Sequence, residues 1–170
     1  MANVYAYDGA LYLAVTRRCT LSCTFCPKTH GRWVVAGNDM SNDSEPSGAA
    51  LLAKALEANP SAYREVVFVG LGEPTLRLPV VTWVGRALRR EGHHVRLVTD
   101  GLANLRFEED VTPDLAGAVD EVHVSLNAPD GETYAKICPS RHGACAHEAV
   151  CDFILKVQSH VPKVVATAVA

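Results

Sequence analysis

The sequence predicts an α/β fold with a mostly parallel sheet, and three observations carry that prediction. Short apolar, β-branched runs at 11–15, 65–69, 95–98, 121–126 and 163–169 alternate with stretches whose apolar residues recur at helical spacing. Several of these runs end in loops carrying cysteine, glycine, carboxylate or hydroxyl groups, and in an alternating strand–helix protein such loops open on one face, where ligands bind. The length, 170 residues, suits one domain burying about 70% of its unfolded surface, so 1–170 reads as a single domain.

In chain order, Leu11 to Val15 is the first buried strand, and it leads into Arg18-Cys19-Thr20-Leu21-Ser22-Cys23-Thr24-Phe25-Cys26-Pro27. The segment from Ala36 to Gly48 is mostly Gly, Asn, Asp and Ser and reads as a solvated linker, with a lid over the cysteine loop as the alternative. Pro46 reads as a first-turn proline of a crossover helix in which Leu51, Leu52, Ala55 and Leu56 repeat until Asn59-Pro60. Glu65 to Val69 is the second strand, ending in Gly70-Leu71-Gly72-Glu73-Pro74-Thr75; glycine there allows close backbone approach to a ligand. Pro79 starts a helix with Val80, Val81, Val84, Ala87 and Leu88 on its apolar face, and Gly92 ends it.

Val95 to Val98 is the third strand, followed by Thr99-Asp100-Gly101, and Thr112-Pro113-Asp114 opens a short helix. Glu121 to Leu126 is the fourth strand, on which the two-residue repeat would turn Ser125 and Asn127 to one side. Asp130 caps a helix through Ile137, and Ala146 to Val157 forms another. Lys163 to Val169 is a fifth strand with no helix after it. A parallel sheet ending on an apolar strand has an exposed edge; the fold is therefore expected to be short of its last strand–helix unit, as a C-terminal fragment would be, or to have a partner over that edge.

Composition narrows the function. With 48% hydrophobic and 21% charged residues and a formal net charge of −3, the chain is an ordinary globular one, and nothing favours nucleic acid. Arg17-Arg18 and Arg89-Arg90 are isolated pairs without interleaved aromatics. Met1 to Ala10 lacks the cationic start and apolar core of a secretory signal, and no apolar run approaches the length of a membrane span, so no membrane partner and a cytoplasmic location are expected.

The cysteines carry the chemistry. In a reducing cytoplasm the close spacing of Cys19, Cys23 and Cys26 favours metal ligation over disulfides, and thiolates suit an iron–sulfur cluster or zinc. Three protein ligands leave a position open, as reactive metal sites do. Two other readings stay open on spacing alone: His30 completes a structural Cys3His zinc site, or the loop holds the cluster of an electron carrier. Cys145 and Cys151, six positions apart, diverge by about 240° on a helix and cannot jointly face one metal, and a second cluster with Cys138 is not expected.

The Cys-x3-Cys-x2-Cys loop after the first strand, with Phe25 before the last cysteine and a Gly72-Glu73-Pro74 turn after the second strand, resembles the radical S-adenosylmethionine (SAM) superfamily. The resemblance implies a partial (β/α) barrel in which Cys19, Cys23 and Cys26 bind a [4Fe–4S] cluster and SAM chelates the fourth iron. Reductive cleavage of SAM then gives a 5′-deoxyadenosyl radical that abstracts hydrogen from a substrate the sequence does not identify. It also implies that Phe25 lies near the adenine, that Gly70, Gly72 and Glu73 line the methionyl amino group, and that Ser125 and Asn127 face the ribose and carboxylate end. Thr99-Asp100-Gly101 departs from the commoner Thr-Asn-Gly. An electron donor such as flavodoxin or ferredoxin is implied as a partner. More narrowly, Gly-Leu-Gly-Glu-Pro-Thr, Asp-Gly-Leu-Ala-Asn and Ser-Leu-Asn-Ala-Pro-Asp-Gly-Glu-Thr-Tyr resemble the small radical proteins associated with TatD-family nucleases, which implies a functional link to such a nuclease.

Overall fold

A computed structural model describes residues 3–41 and 44–169. The chain opens with a hairpin of β1 (Val4–Tyr7) and β2 (Ala10–Leu13), closed by Asp8 at φ 45° and Gly9 at φ 72°. Two successive left-handed residues are what an Asp-Gly hairpin turn requires, so β1 has a signal in the sequence although the alternation of longer runs passes over it. After the cysteine loop, β3 (Val34–Val35) and β4 (Asn38–Asp39) form a small separate ribbon. The elements that follow are α1 (Gly48–Glu57), β5 (Val66–Phe68), α2 (Leu78–Arg90), β6 (Val95–Thr99), α3 (Ala103–Phe107), β7 (Glu121–Ser125), α4 (Gly131–Ile137), α5 (Cys145–Val157) and β8 (Lys163–Thr167).

The main sheet has the order β1-β2-β5-β6-β7-β8, antiparallel at β1–β2 and parallel at every other step. It is open rather than closed, as a partial barrel is, and β8 stands at its edge. The register aligns Leu13 with Phe68, Phe68 with Leu97 and Leu97 with Val122. These side chains share one core with Leu51 of α1, Val81, Val84 and Leu88 of α2, and Val150 and Phe153 of α5. Hydrophobic burial along this face positions every strand end above it. The alternate residues are more polar: Arg96 of β6 makes a two-pronged ion pair with Glu65 at 2.8 Å, and its Nη1 lies 3.3 Å from Nδ1 of His123 on β7.

Two expectations change. The first helix begins at Gly48 rather than around Pro46; Ser47 is its N-cap, accepting from the Ala50 amide at 3.2 Å, while the Pro46 carbonyl accepts from Arg77 Nη1 at 2.7 Å. The polar connection is not a free solvated linker in its described part. Met40 is buried, and Glu45 accepts from Thr16 Oγ1 at 2.5 Å and from Arg18 Nε and Nη2 at 2.7 and 3.1 Å. A segment too polar to form a core is thus docked by charge-assisted bonds to the loop entering the cysteines.

Candidate functional site

The loop from Cys19 to Cys26 leaves β2 on the face formed by the carboxyl ends of the parallel strands, and backbone bonds fix its course. Ser22 donates to the Pro139 carbonyl and Thr24 to the Ile137 carbonyl, both at 2.9 Å, which ties the loop to the end of α4. The Cys26 amide donates to Cys23 O at 3.1 Å, and a 3-10 turn at Pro27–His30 follows, with Pro27 in its first turn and Gly31 at φ 67° after it. Proline is suited to that first turn, where a missing N–H costs nothing, and the left-handed glycine stops the turn.

The three thiols share one neighbourhood. Cys19 presents part of its surface to solvent, yet the protein around its sulfur, and then Asp100, push its thiol up to about 12. The Cys23 thiol is also pushed up, first by its hydrogen bond with Cys138, then by burial, with Cys19 and Cys26 adding to the effect. Among the described residues no three His, Cys, Asp or Glu side chains are already arranged as a metal site. Clustered thiols that resist ionisation are nonetheless a donor set that cations of iron would convert to thiolates, since a metal deprotonates the thiol it binds. His30 is engaged elsewhere: its Nε2 lies 2.6 Å from the Thr24 carbonyl oxygen.

Beside the loop stands the turn after β5. Gly72 can only be glycine: a Cβ there would lie 2.2 Å from Thr16 O and 2.7 Å from Arg18 O. The Glu73 amide donates to Arg18 O at 2.7 Å, so the two loops are locked backbone to backbone immediately before Cys19. Gly70 is less constrained, with the nearest atom, Ala14 Cβ, at 3.1 Å. The Glu73 side chain is 3% exposed. Its Oε1 accepts from Thr75 N, Thr75 Oγ1 and Thr99 Oγ1 at 2.9, 2.6 and 2.7 Å, and its Oε2 accepts from Asp100 N at 2.7 Å.

Asp100, also buried, accepts from the Thr20 hydroxyl and, at 2.9 Å, from the Leu102 amide. Burial first, and Asp100 second, push the Glu73 carboxyl upward; burial likewise pushes Asp100 upward. Among the described residues neither carboxyl forms an ion pair with a cationic side chain. Two adjacent buried carboxyls without a cation form a site that a positively charged ligand group would complete. Oε2 of Glu73, with one donor bound, retains a lone pair for it.

The remaining expected residues divide. Phe25 is 38% exposed in the cysteine loop and open to stacking. Ser125 ends β7, but Asn127 lies beyond the strand at φ 57°, so the two-residue alternation that would pair their side chains does not reach it. Asn127 donates through its amide to Thr167 O at 3.1 Å and through Nδ2 to Cys138 Sγ at 3.4 Å, and it lines a cavity of about 230 Å3 between the ends of β7 and β8. Cys138 itself is fully buried at the end of α4, in contact with Cys23. No local spacing signals that contact, because it joins positions far apart in the chain. Arg106 and Arg141, which share a cavity of about 570 Å3 with Cys19, are likewise not legible in the sequence, since each stands in an unremarkable polar stretch.

Comparison with known proteins bears on the family and the fold. The profile of the Radical SAM superfamily matches residues 13–170. A solved structure described as "Structure of TYW1 with a lysine-pyruvate adduct bound" superposes with a TM-score of 0.63 at 13% sequence identity, over 93% of this chain and 55% of that one. The present chain therefore spans about half the length of that protein, and the likeness is one of fold. Comparison with curated protein sequences finds no match.

Proposed function

Because the chain belongs to the radical S-adenosylmethionine superfamily, whose members use a [4Fe–4S] cluster and SAM, we propose that residues 1–170 form a radical SAM core domain in which Cys19, Cys23 and Cys26 hold the cluster. When bound, the two cofactors together supply a 5′-deoxyadenosyl radical that removes a hydrogen atom from substrate. The observation that carries the reading is the junction of two loops: the glycine-only contact and the Glu73 N–Arg18 O bond set a cation-hungry carboxyl pair beside the thiol loop.

Each residue has a task in this reading. Cys19, Cys23 and Cys26 would hold the cluster as thiolates. Glu73 Oε2 accepts from the methionyl ammonium, with Gly70 and Gly72 lining the same turn. Thr75, Thr99 and the Asp100 amide hold the Glu73 carboxylate in place, so little reorganisation accompanies binding. Phe25 packs near the adenine, and Ser125 and Asn127 face the ribose and carboxylate end of the ligand, with Asn127 oriented by Cys138. These loops would hold the bound ligand in a fixed orientation against the thiol loop.

An electron donor of the flavodoxin or ferredoxin kind is the redox partner this reading calls for. Among the described residues no helix is long and apolar enough to cross a membrane; a cytoplasmic location is proposed because closely spaced free thiols call for a reducing compartment. The Gly-Leu-Gly-Glu-Pro-Thr and Ser-Leu-Asn-Ala-Pro motifs support the narrower likeness to the TatD-associated radical proteins and a functional link to such a nuclease.

Anaerobic reconstitution followed by iron and sulfide analysis, and by electron paramagnetic resonance with and without SAM, tests the reading. A cluster whose spectrum changes on addition of SAM is expected. Zinc in place of iron would restore the Cys3His reading, and a cluster indifferent to SAM would restore the electron carrier.

A further inference from the structure

We propose that the cavity beside Cys19 binds an anionic group of the substrate, a phosphate or a carboxylate, through Arg106 and Arg141 with Lys28 adding charge; the proposal rests on the radical-enzyme reading and names its substrate class. Three separate parts of the chain bring these cations together: the turn after Cys26 supplies Lys28, α3 supplies Arg106, and the connection from α4 to α5 supplies Arg141. The cavity measures about 570 Å3, a space the anionic group would share with the cluster that Cys19 is proposed to hold.

Among the described residues its lining contains no acidic side chain. Arg18 is already neutralised, bound through Nε and Nη2 to Glu45 at 2.7 and 3.1 Å. Among the described residues the other three cations have neutral partners. Lys28 Nζ donates to the Arg17 carbonyl at 2.8 Å, Arg141 Nε donates to His142 Nε2 at 3.0 Å, and Arg106 lies 5.9 Å from the Phe107 ring. Asp100 is buried, is not part of that lining, and accepts from the Thr20 hydroxyl and the Leu102 amide.

Like charges gathered around one concavity repel one another, and an anion removes that cost while meeting the planar donor forks of arginine. The cations also draw an anionic substrate toward Cys19 over a distance. A polynucleotide is disfavoured as the occupant: the chain's net charge is −3, and among the described residues no Phe, Tyr or Trp lines the cavity to stack a base.

The test titrates the reconstituted enzyme, loaded with SAM, with inorganic phosphate and separately with glutarate by anaerobic calorimetry, in wild type, Arg106→Gln and Arg141→Gln. Saturable binding of at least one anion is expected, weakened about tenfold by either substitution, which is the scale of one lost charge-assisted bond. Iron content and SAM affinity should stay within about twofold of wild type by the same reasoning. Preference between the two anions identifies the group on the substrate. Arg141 lies in a connection, so its variant remains informative if substitution in α3 harms folding.

The proposal is overturned if neither anion saturates, if both variants bind as wild type does, or if the variants lose SAM affinity instead, which would give the guanidinium groups to the methionyl carboxylate. It is equally overturned if a short single-stranded RNA binds more tightly than either anion and is lost with the same substitutions. Failure of the wild-type protein to assemble a cluster is a separate result and counts against the radical-enzyme reading, not against the anion site, which cluster-free protein would still show.

Discussion

At the scale of single residues, the site rests on side chains whose burial sets their chemistry. Glu73 is the clearest case. Its carboxyl is enclosed and faces Asp100, so its proton is held more tightly in the folded chain than at its ordinary value of 4.5. The folded state then binds more protons than the unfolded one in the interval above 4.5, and stability falls as pH rises through it. Cofactor-free protein is expected to melt at progressively lower temperature across that interval, and Glu73→Gln should flatten the slope, leaving the part due to Asp100. Thermal scans over a pH series measure it.

A cationic ligand favours the ionised carboxylate, so SAM affinity should rise over the same interval in wild type and lose that dependence in Glu73→Gln. The substitution should also weaken SAM roughly ten- to a hundredfold, the effect of a shielded charge-assisted bond. An affinity unchanged at all pH values would make the turn purely structural. The cysteines give a second prediction at this scale. Cys19→Ala, Cys23→Ala and Cys26→Ala should each lose stable iron on desalting, whereas exposed Cys145 and half-buried Cys151 should be replaceable by alanine with iron retained. Full iron in Cys23→Ala would remove the loop from the metal site.

At the scale of elements, the decisive contact is between two loops rather than within either. The cysteine loop is legible in sequence because its three cysteines lie within eight consecutive residues, and the strands are legible because short β-branched runs separated by helical periodicity have to pair in a buried sheet. The lock between the loops is not: Gly72 reads as a glycine for a ligand, and only the fold shows the Thr16 and Arg18 carbonyls filling the space where a Cβ would stand. Glu73 reads from sequence as a residue of the ligand face, but its partners Thr99 and Asp100 come from another strand end.

Cys138 reaches Cys23 across most of the domain, and β1 is overshadowed by longer apolar runs although Asp8-Gly9 marks its turn. The lock makes its own prediction. Gly72→Ala should displace the backbone before Cys19, lowering the melting temperature and the iron bound per chain together, while Gly70→Ala, with its nearest neighbour at 3.1 Å, should do so much less. Equal iron content in both variants would show that the turn does not hold the cysteine loop.

At the scale of the whole molecule, one core beneath an open sheet sets all the loops above it, so stability and site geometry are coupled. Leu97 sits fully buried between its register partners Phe68 and Val122 at the centre of that sheet. Leu97→Ala should cost about 2–5 kcal/mol, read as a shift in the urea midpoint of cofactor-free protein without a change in slope. Leu97 is not itself a site residue, so reconstituted below its midpoint the variant should still bind SAM.

The central claim is that this arrangement performs radical chemistry on SAM, and formation of 5′-deoxyadenosine by the anaerobically reconstituted protein under dithionite tests it most directly. The account predicts 5′-deoxyadenosine from wild type, much less from Glu73→Gln at limiting SAM, and none above background from Cys23→Ala. A wild-type protein that carries a full complement of iron and sulfide, binds SAM and still yields no more 5′-deoxyadenosine than Cys23→Ala would contradict it.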